Sequence, residues 1–273
     1  MAHPDHFVKL SEEDFIREVI DIVTKAKEKN IVLRIIGALA VRLYAENDHE
    51  AISVHRKRFG NTTVVFTDLD LIGYSKQRGN IEKFFSSIQY QPDRMINRLF
   101  GDRRLIFYHP KGHFSVDIFF DKLEFSHDVK FGDKPGSGRL ELSFPSITPT
   151  DLILEKLQIH QINRKDLVDL LVMLKLKEVG TSEGTINGSY IAKILAQNWG
   201  FWYDATNNLQ LVKQISEEML ANGDITQAFY SKAVQQLNTL LEFIENEQKS
   251  KDWIKRSQIG TKKPWYREVN DIF

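Results

Sequence analysis

Near the start of the chain, apolar residues recur at helical spacing directly after an acidic cap. Ser11-Glu12-Glu13-Asp14 reads as a helix start, with Ser11 as N-cap and an acidic first turn. Phe15, Ile16, Val19, Ile20, Val23 and Ala26 follow with a period near that of an α-helix, which Asn30 ends. Residues 31–36 form a β-branched run that predicts a buried strand. Gly37 breaks it, and residues 38–46 are helical again. Residues 47–60 are polar, close on Arg56-Lys57-Arg58, and predict a loop or short irregular piece. Residues 62–74 carry the strongest strand signal in the chain. A helix is predicted over 80–88, and Gln91-Pro92-Asp93 opens a short one that ends near Gly101. Residues 103–108 and 114–120 read as two strands of a hairpin turning at Pro110-Lys111-Gly112. Residues 139–144 predict a last short strand.

After Pro145 the pattern becomes helical throughout. Thr148-Pro149-Thr150-Asp151 places a cap, a first-turn proline and an acid in helix-starting order, and Asn163-Arg164-Lys165-Asp166 caps the next helix. Further helices are predicted at about 189–199, 206–220 and 226–247. The organisation expected is therefore α+β: a mixed sheet with flanking helices over 1–145, then an all-helical portion over 146–273 that ends in a basic, aromatic tail.

Composition narrows the function classes. The 273 residues suffice for a full core, with 42% hydrophobic. Lys and Arg number 37 and Asp and Glu 37, so the chain is not a general polyanion binder. There is no cysteine, which excludes thiolate catalysis, disulfides and Cys-based zinc sites, and suits a reducing, cytoplasmic setting. The N-terminus is polar, without the apolar segment of a signal peptide, and no apolar stretch is long enough to span a bilayer.

The candidate chemistry lies in Thr67-Asp68-Leu69-Asp70-Leu71. Residues i and i+2 of a strand share a face, so Asp68 and Asp70 stand side by side. Two adjacent carboxylates repel unless a cation lies between them or one is protonated. Hard oxygen ligands suit magnesium or manganese, which also accept waters and phosphate oxygens. The plainer alternative is two solvated acids on a strand edge. Ser115-Val116-Asp117-Ile118-Phe119 adds a third acid on an otherwise apolar strand. If that strand lies beside the first, Asp117 completes a cluster able to hold two metals. Gly37-Ala38 joins a strand to a helix, and such a turn offers backbone N–H groups to a phosphate.

In this order, the strand before Gly37-Ala38, the Asp68-Leu69-Asp70 pair and the later Val116-Asp117-Ile118 strand resemble the polymerase-β-type nucleotidyltransferase superfamily. The neighbourhood is that of minimal, antibiotic-modifying and AbiEii-toxin-like members. The helical portion is similar through Glu155-Lys156-Leu157-Gln158 and Arg164-Lys165-Asp166-Leu167-Val168-Asp169. The stretches Gln91-Pro92-Asp93 to Tyr108 and Asn198-Trp199-Gly200 look like a bacterial and archaeal branch. The resemblance implies a nucleotidyltransferase-like fold and the transfer of a nucleoside monophosphate from an NTP to an acceptor. It implies Asp68, Asp70 and Asp117 as catalytic and metal-holding residues, and Gly37, Ala38, Thr67 and Lys156 as nucleotide-binding ones. The acceptor is open between a small molecule, a protein and an RNA. Ala38 stands where the family carries Gly or Ser, which removes one hydroxyl hydrogen bond to phosphate, and the stretch from Gly37 to Asp68 is long for a minimal member. The alternatives are a non-catalytic nucleotide-binding scaffold or regulatory relative, and the toxin of a toxin–antitoxin pair.

Several residues have plainer explanations. Capping is the plainer account of Asp166, and a solvated helix face is the alternative for Lys156. The eight histidines are scattered without helical metal-ligand spacing, which argues against a histidine zinc site. From 249 to 273 seven basic residues face three acidic ones, interleaved with Trp253, Trp265 and Tyr266. That mix suits either an RNA or phosphorylated acceptor or a tail docked by its aromatics.

Overall fold

A computed structural model describes residues 10–58 and 66–268. In chain order the helices are α1 (Glu12–Glu28), α2 (Gly37–Tyr44), α3 (His49–Lys57), α4 (Arg78–Ser87), α5 (Arg94–Phe100), α6 (Pro149–Leu157), α7 (Arg164–Leu176), α8 (Gly188–Gln197), α9 (Trp199–Ala221), α10 (Gln227–Asn246) and α11 (Lys251–Ile259). The main strands are β1 (Leu33–Ile35), β2 (Asp68–Gly73), β3 (Gln91–Pro92), β4 (Arg104–Tyr108) and β5 (Ser115–Phe120). The chain divides into two compact units. One holds Met1–Ala40, Asn61–Leu123 and Lys130–Ile147; the other holds Val41–Gly60, Glu124–Val129 and Thr148–Phe273.

The first unit is built on a five-stranded sheet of order β1-β2-β5-β4-β3. Only the central pair, β2 with β5, is parallel; the others are antiparallel. Strand alternation sorts the side chains. Val116, Ile118 and Phe120 are buried, whereas Ser115, Asp117 and Phe119 between them are half-buried. On β2, Leu69 and Leu71 are fully buried on the same side as Val116 and Ile118. Ser11 accepts a hydrogen bond from the Asp14 N–H and caps α1, whose Phe15, Val19, Ile22 and Val23 are buried. At about 1.5–3 kcal/mol for each large aliphatic or aromatic side chain, this apolar layer is a large favourable contribution to folding the unit.

The second unit is mainly helical; against the all-helical expectation, Val179–Gly180 and Ile186–Asn187 pair as two short parallel strands. Thr148 caps α6 and Pro149 opens its first turn, as their spacing predicts. All nine residues of α6 are buried, Asp151, Glu155 and Lys156 among them, which marks it as a central helix. Asn163 caps α7 by accepting from the Asp166 N–H. No described helix is long and apolar enough to cross a membrane.

Several sequence expectations are corrected. The loop expected over 47–60 contains α3, because Asp48 accepts from the Ala51 N–H as N-cap and Ala51 and Val54 are buried. The strand expected at 139–144 is a single 3-10 turn, Leu140–Leu142, with Leu140 alone buried. The strand expected over 62–74 begins at Asp68 in the described part; residues 62–65 lie outside the described residues. The helix expected at 206–220 starts earlier, at Trp199, where Asn198 accepts from the Phe201 N–H.

Candidate active site

The sheet register brings the acids of the first unit together. In the parallel pair β2–β5, Asp70 lies opposite Asp117 and Asp68 opposite Ser115. Directly paired residues share a face, so Asp68, Asp70 and Asp117 all stand on the face opposite the buried Leu69, Leu71, Val116 and Ile118. Asp68 and Thr67 are exposed at the start of β2, and Asp70 is half-buried. The Ile36 N–H donates to the Asp70 carbonyl at 3.1 Å. The Gly37 turn that follows is therefore beside the same end of β2. Gly37 has φ +67°, a conformation that a side chain makes costly, and Ala38 follows it into the first turn of α2.

The structure adds a residue that the sequence reading missed. Arg104 on β4 lies two positions from Ile106, which pairs with Asp117, so its side chain shares that face. Arg104 Nε donates to both Asp117 oxygens, at 2.7 and 2.8 Å, and an Nη group bonds Oδ2 as well. Burial pushes the Asp117 carboxyl above its ordinary value; Arg104 opposes this and the Asp68 charge adds to it. Burial disfavours the Arg104 cation, but Asp117 and Asp70 outweigh it and hold the guanidinium above its ordinary value. An arginine in the strand run Arg104-Leu105-Ile106-Phe107-Tyr108 was the available signal, as unexpected there as an acid.

The fit to a divalent cation divides the three acids. Asp68 and Asp70 are neighbouring hard oxygen donors at the open start of a strand, a donor set that suits magnesium. Asp117 is already matched by a guanidinium. Among the described residues, no group of three His, Asp or Glu side chains is arranged to hold a metal ion.

Lys156 lies in the second unit, and its surroundings are more elaborate than a solvated face. Its ammonium bonds Asp166 Oδ1 at 2.7 Å and lies 3.1 Å from Asp169 Oδ2 and 3.9 Å from Glu155 Oε1. Burial disfavours the cation, but the charges of Asp169, Asp166 and Glu155 raise its pKa well above the ordinary lysine value. Arg58, at the end of α3, donates to both oxygens of Asp169, at 3.3 and 3.1 Å. His55 Nε2 is 3.4 Å from Asp169 Oδ1, and both side chains are fully buried. Arg56-Lys57-Arg58 thus ends a helix, and its third member is a buried ion-pair partner. Asp166 both receives the Asn163 cap at its N–H and binds Lys156.

No family model matches the chain and no curated protein matches it. Among solved structures, the chain is similar to the antibiotic-resistance factor ANT(2'')-Ia, with 13% identity and a TM-score of 0.38 over 68% of this chain and 95% of that one. It is also similar to an antigenic nucleotidyltransferase-like protein from Paracoccidioides brasiliensis, with 14% identity and a TM-score of 0.40 over 90% of this chain and 99% of that one.

Proposed function

We propose that the chain is a metal-dependent nucleotidyltransferase acting on an NTP in a reducing, cytoplasmic setting. The observation that supports this most is the shared face of Asp68, Asp70 and Asp117 on neighbouring strands, with the Gly37 turn at the same end. Asp68 and Asp70 would hold magnesium or manganese, which when bound supplies charge neutralisation to the triphosphate. The first-turn N–H groups after Gly37, with Thr67, would seat phosphate oxygens. The acceptor's hydroxyl oxygen forms a bond to the α-phosphorus, the α–β bridging bond breaks, and pyrophosphate leaves. Asp117 would take the hydroxyl proton, and a carboxyl raised by burial is the better base for it. Arg104 orients Asp117 and must loosen its grip for that transfer. Lys156 is held within the second unit by Asp166 and Asp169.

The Arg104–Asp117 pair favours a second reading. A guanidinium fixed on the third acid is what a binding-only relative would keep, since it neutralises the site without chemistry. Incubating the chain with α-labelled NTPs, magnesium and panels of small hydroxylated molecules, proteins and RNA separates the two. The transferase reading expects magnesium-dependent label transfer, reduced about 10²–10⁴-fold in Asp117→Asn. Tight nucleotide binding with no transfer to any acceptor class would instead establish the scaffold.

A further inference from the structure

The second unit contains a cavity of about 620 Å³ that the transferase reading does not use. That volume suits a small organic ligand. His160, Gln161, Asp166, Tyr266, Arg267 and Glu268 are among its walls.

The His160 ring is held by a network behind it. Asp204, 2% exposed, accepts from His160 Nδ1 at 2.8 Å, from Trp265 Nε1 at 3.0 Å and from His127 Nε2 at 2.7 Å. Burial raises the Asp204 carboxyl, and these three hydrogen bonds outweigh it, so the group titrates below the ordinary carboxylate range. A carboxylate can only accept, so Nδ1 of His160 carries the hydrogen. In the neutral ring, Nε2 is then an acceptor. Tyr266 stacks on the same ring, with centroids 3.5 Å apart at 16°. The imidazole that lines the cavity is therefore fixed in orientation and in tautomer.

The charges around the cavity are unequal in their commitments. Arg267 is bound to Asp128 Oδ1 at 2.5 Å and to the Phe125 carbonyl at 3.0 Å. Asp166 is matched by Lys156. Glu268 has no ion-pair partner among the described residues. The cavity thus offers an uncompensated carboxylate, an imidazole acceptor and an aromatic ring. Each of the three favours a cation, through ion pairing, hydrogen-bond acceptance and the ring's negative face.

We propose that this cavity is a binding site for a small organic cation, an amine or guanidinium on a short apolar stem, held by Glu268, His160 and Tyr266. Titration calorimetry on the full chain with agmatine tests it, with inorganic phosphate and AMP as anionic controls. The expected result is saturable binding of one agmatine per chain, with His160 ring resonances shifted on binding. Glu268→Gln should weaken it by about tenfold, as loss of one charge-assisted contact does. Asp70→Asn should leave agmatine affinity unchanged, because that acid belongs to the other unit. No agmatine binding, binding unaltered by Glu268→Gln, binding lost in Asp70→Asn, or preferential binding of phosphate would each overturn the proposal. Glu268 is exposed, so its substitution leaves the fold intact; Tyr266→Leu gives a second variant, expected to weaken binding through loss of the ring.

Discussion

Arg104 on β4 binds both carboxylate oxygens of Asp117 on β5, from a position two residues along the neighbouring strand. The pair is partly buried, with Asp117 14% and Arg104 29% exposed. It is the main restraint on the third acid of the candidate site. Arg104→Gln is expected to destabilise the chain by about 1–3 kcal/mol, since the charged hydrogen bonds are lost and Asp117 remains desolvated. Arg104→Gln with Asp117→Asn should recover part of that loss. Urea denaturation of the two single variants and the double variant measures the coupling; simple additivity would show that the pair does not act as a unit.

Lys156 is the central cation of the buried group formed with Asp166, Asp169 and Glu155. Lys156→Met leaves these carboxylates with one fewer cation and is expected to cost about 3–5 kcal/mol, as removal of one partner from a buried pair does. A loss below about 1 kcal/mol would mean that the ammonium is solvated, as an exposed pair would be. Thermal and urea unfolding decide between these outcomes.

Beside that group, His55 is fully buried and its pKa is lowered to about 4. Burial is the main cause; Arg58 and Lys156 add to it, and Asp169 opposes it. The folded pKa lies below the unfolded value of about 6.5, so between the two the unfolded chain binds the extra proton. The stability linked to His55 is therefore complete above pH 6.5 and falls as pH drops towards 4, by up to about 3 kcal/mol. His55→Asn should flatten the stability profile over that window. An imidazole that NMR titration finds protonated at pH 6 in the folded chain would contradict this.

The three carboxylates of the candidate site were more legible in the sequence than their partners, for a physical reason. Strand periodicity alone put Asp68 and Asp70 on one face, and an acid within Ser115-Val116-Asp117-Ile118-Phe119 was conspicuous against its apolar neighbours. Their alignment depends on register, which appears only when β2 and β5 pair in parallel. Arg104 was hidden because its role comes from a diagonal relation across β4 and β5. The histidines were scattered in the chain, yet His127 and His160 meet at Asp204, 77 and 44 residues away along it. No local pattern encodes contacts of that separation. Helix α3 was missed because its polar surface masked the buried Ala51, Val54 and His55.

Gly200 allows the C-terminal segment to approach α9. A Cβ there would lie 2.5 Å from the Trp265 carbonyl oxygen and 3.1 Å from the Trp265 Cβ. Alanine is the better helix former by up to about 1 kcal/mol, but here it meets backbone that must move. Gly200→Ala is expected to break the Trp265 Nε1 bond to Asp204 and to be destabilising overall. Hydrogen exchange of the Trp265 indole should quicken in the variant. Unchanged exchange with higher stability would show that the segment is not packed against Gly200.

The central claim is that Asp68 and Asp70 stand together to hold a metal–nucleotide complex. Thermal unfolding of wild type and Asp70→Asn, each with ATP, magnesium, both or neither, tests it most directly. The account predicts that ATP with magnesium stabilises the wild type, that neither alone does so to the same extent, and that Asp70→Asn keeps its fold but loses the effect. At a nucleotide concentration of about 100 times Kd the stabilisation should approach about 2.7 kcal/mol. Equal stabilisation of wild type and Asp70→Asn by magnesium and ATP would contradict the claim.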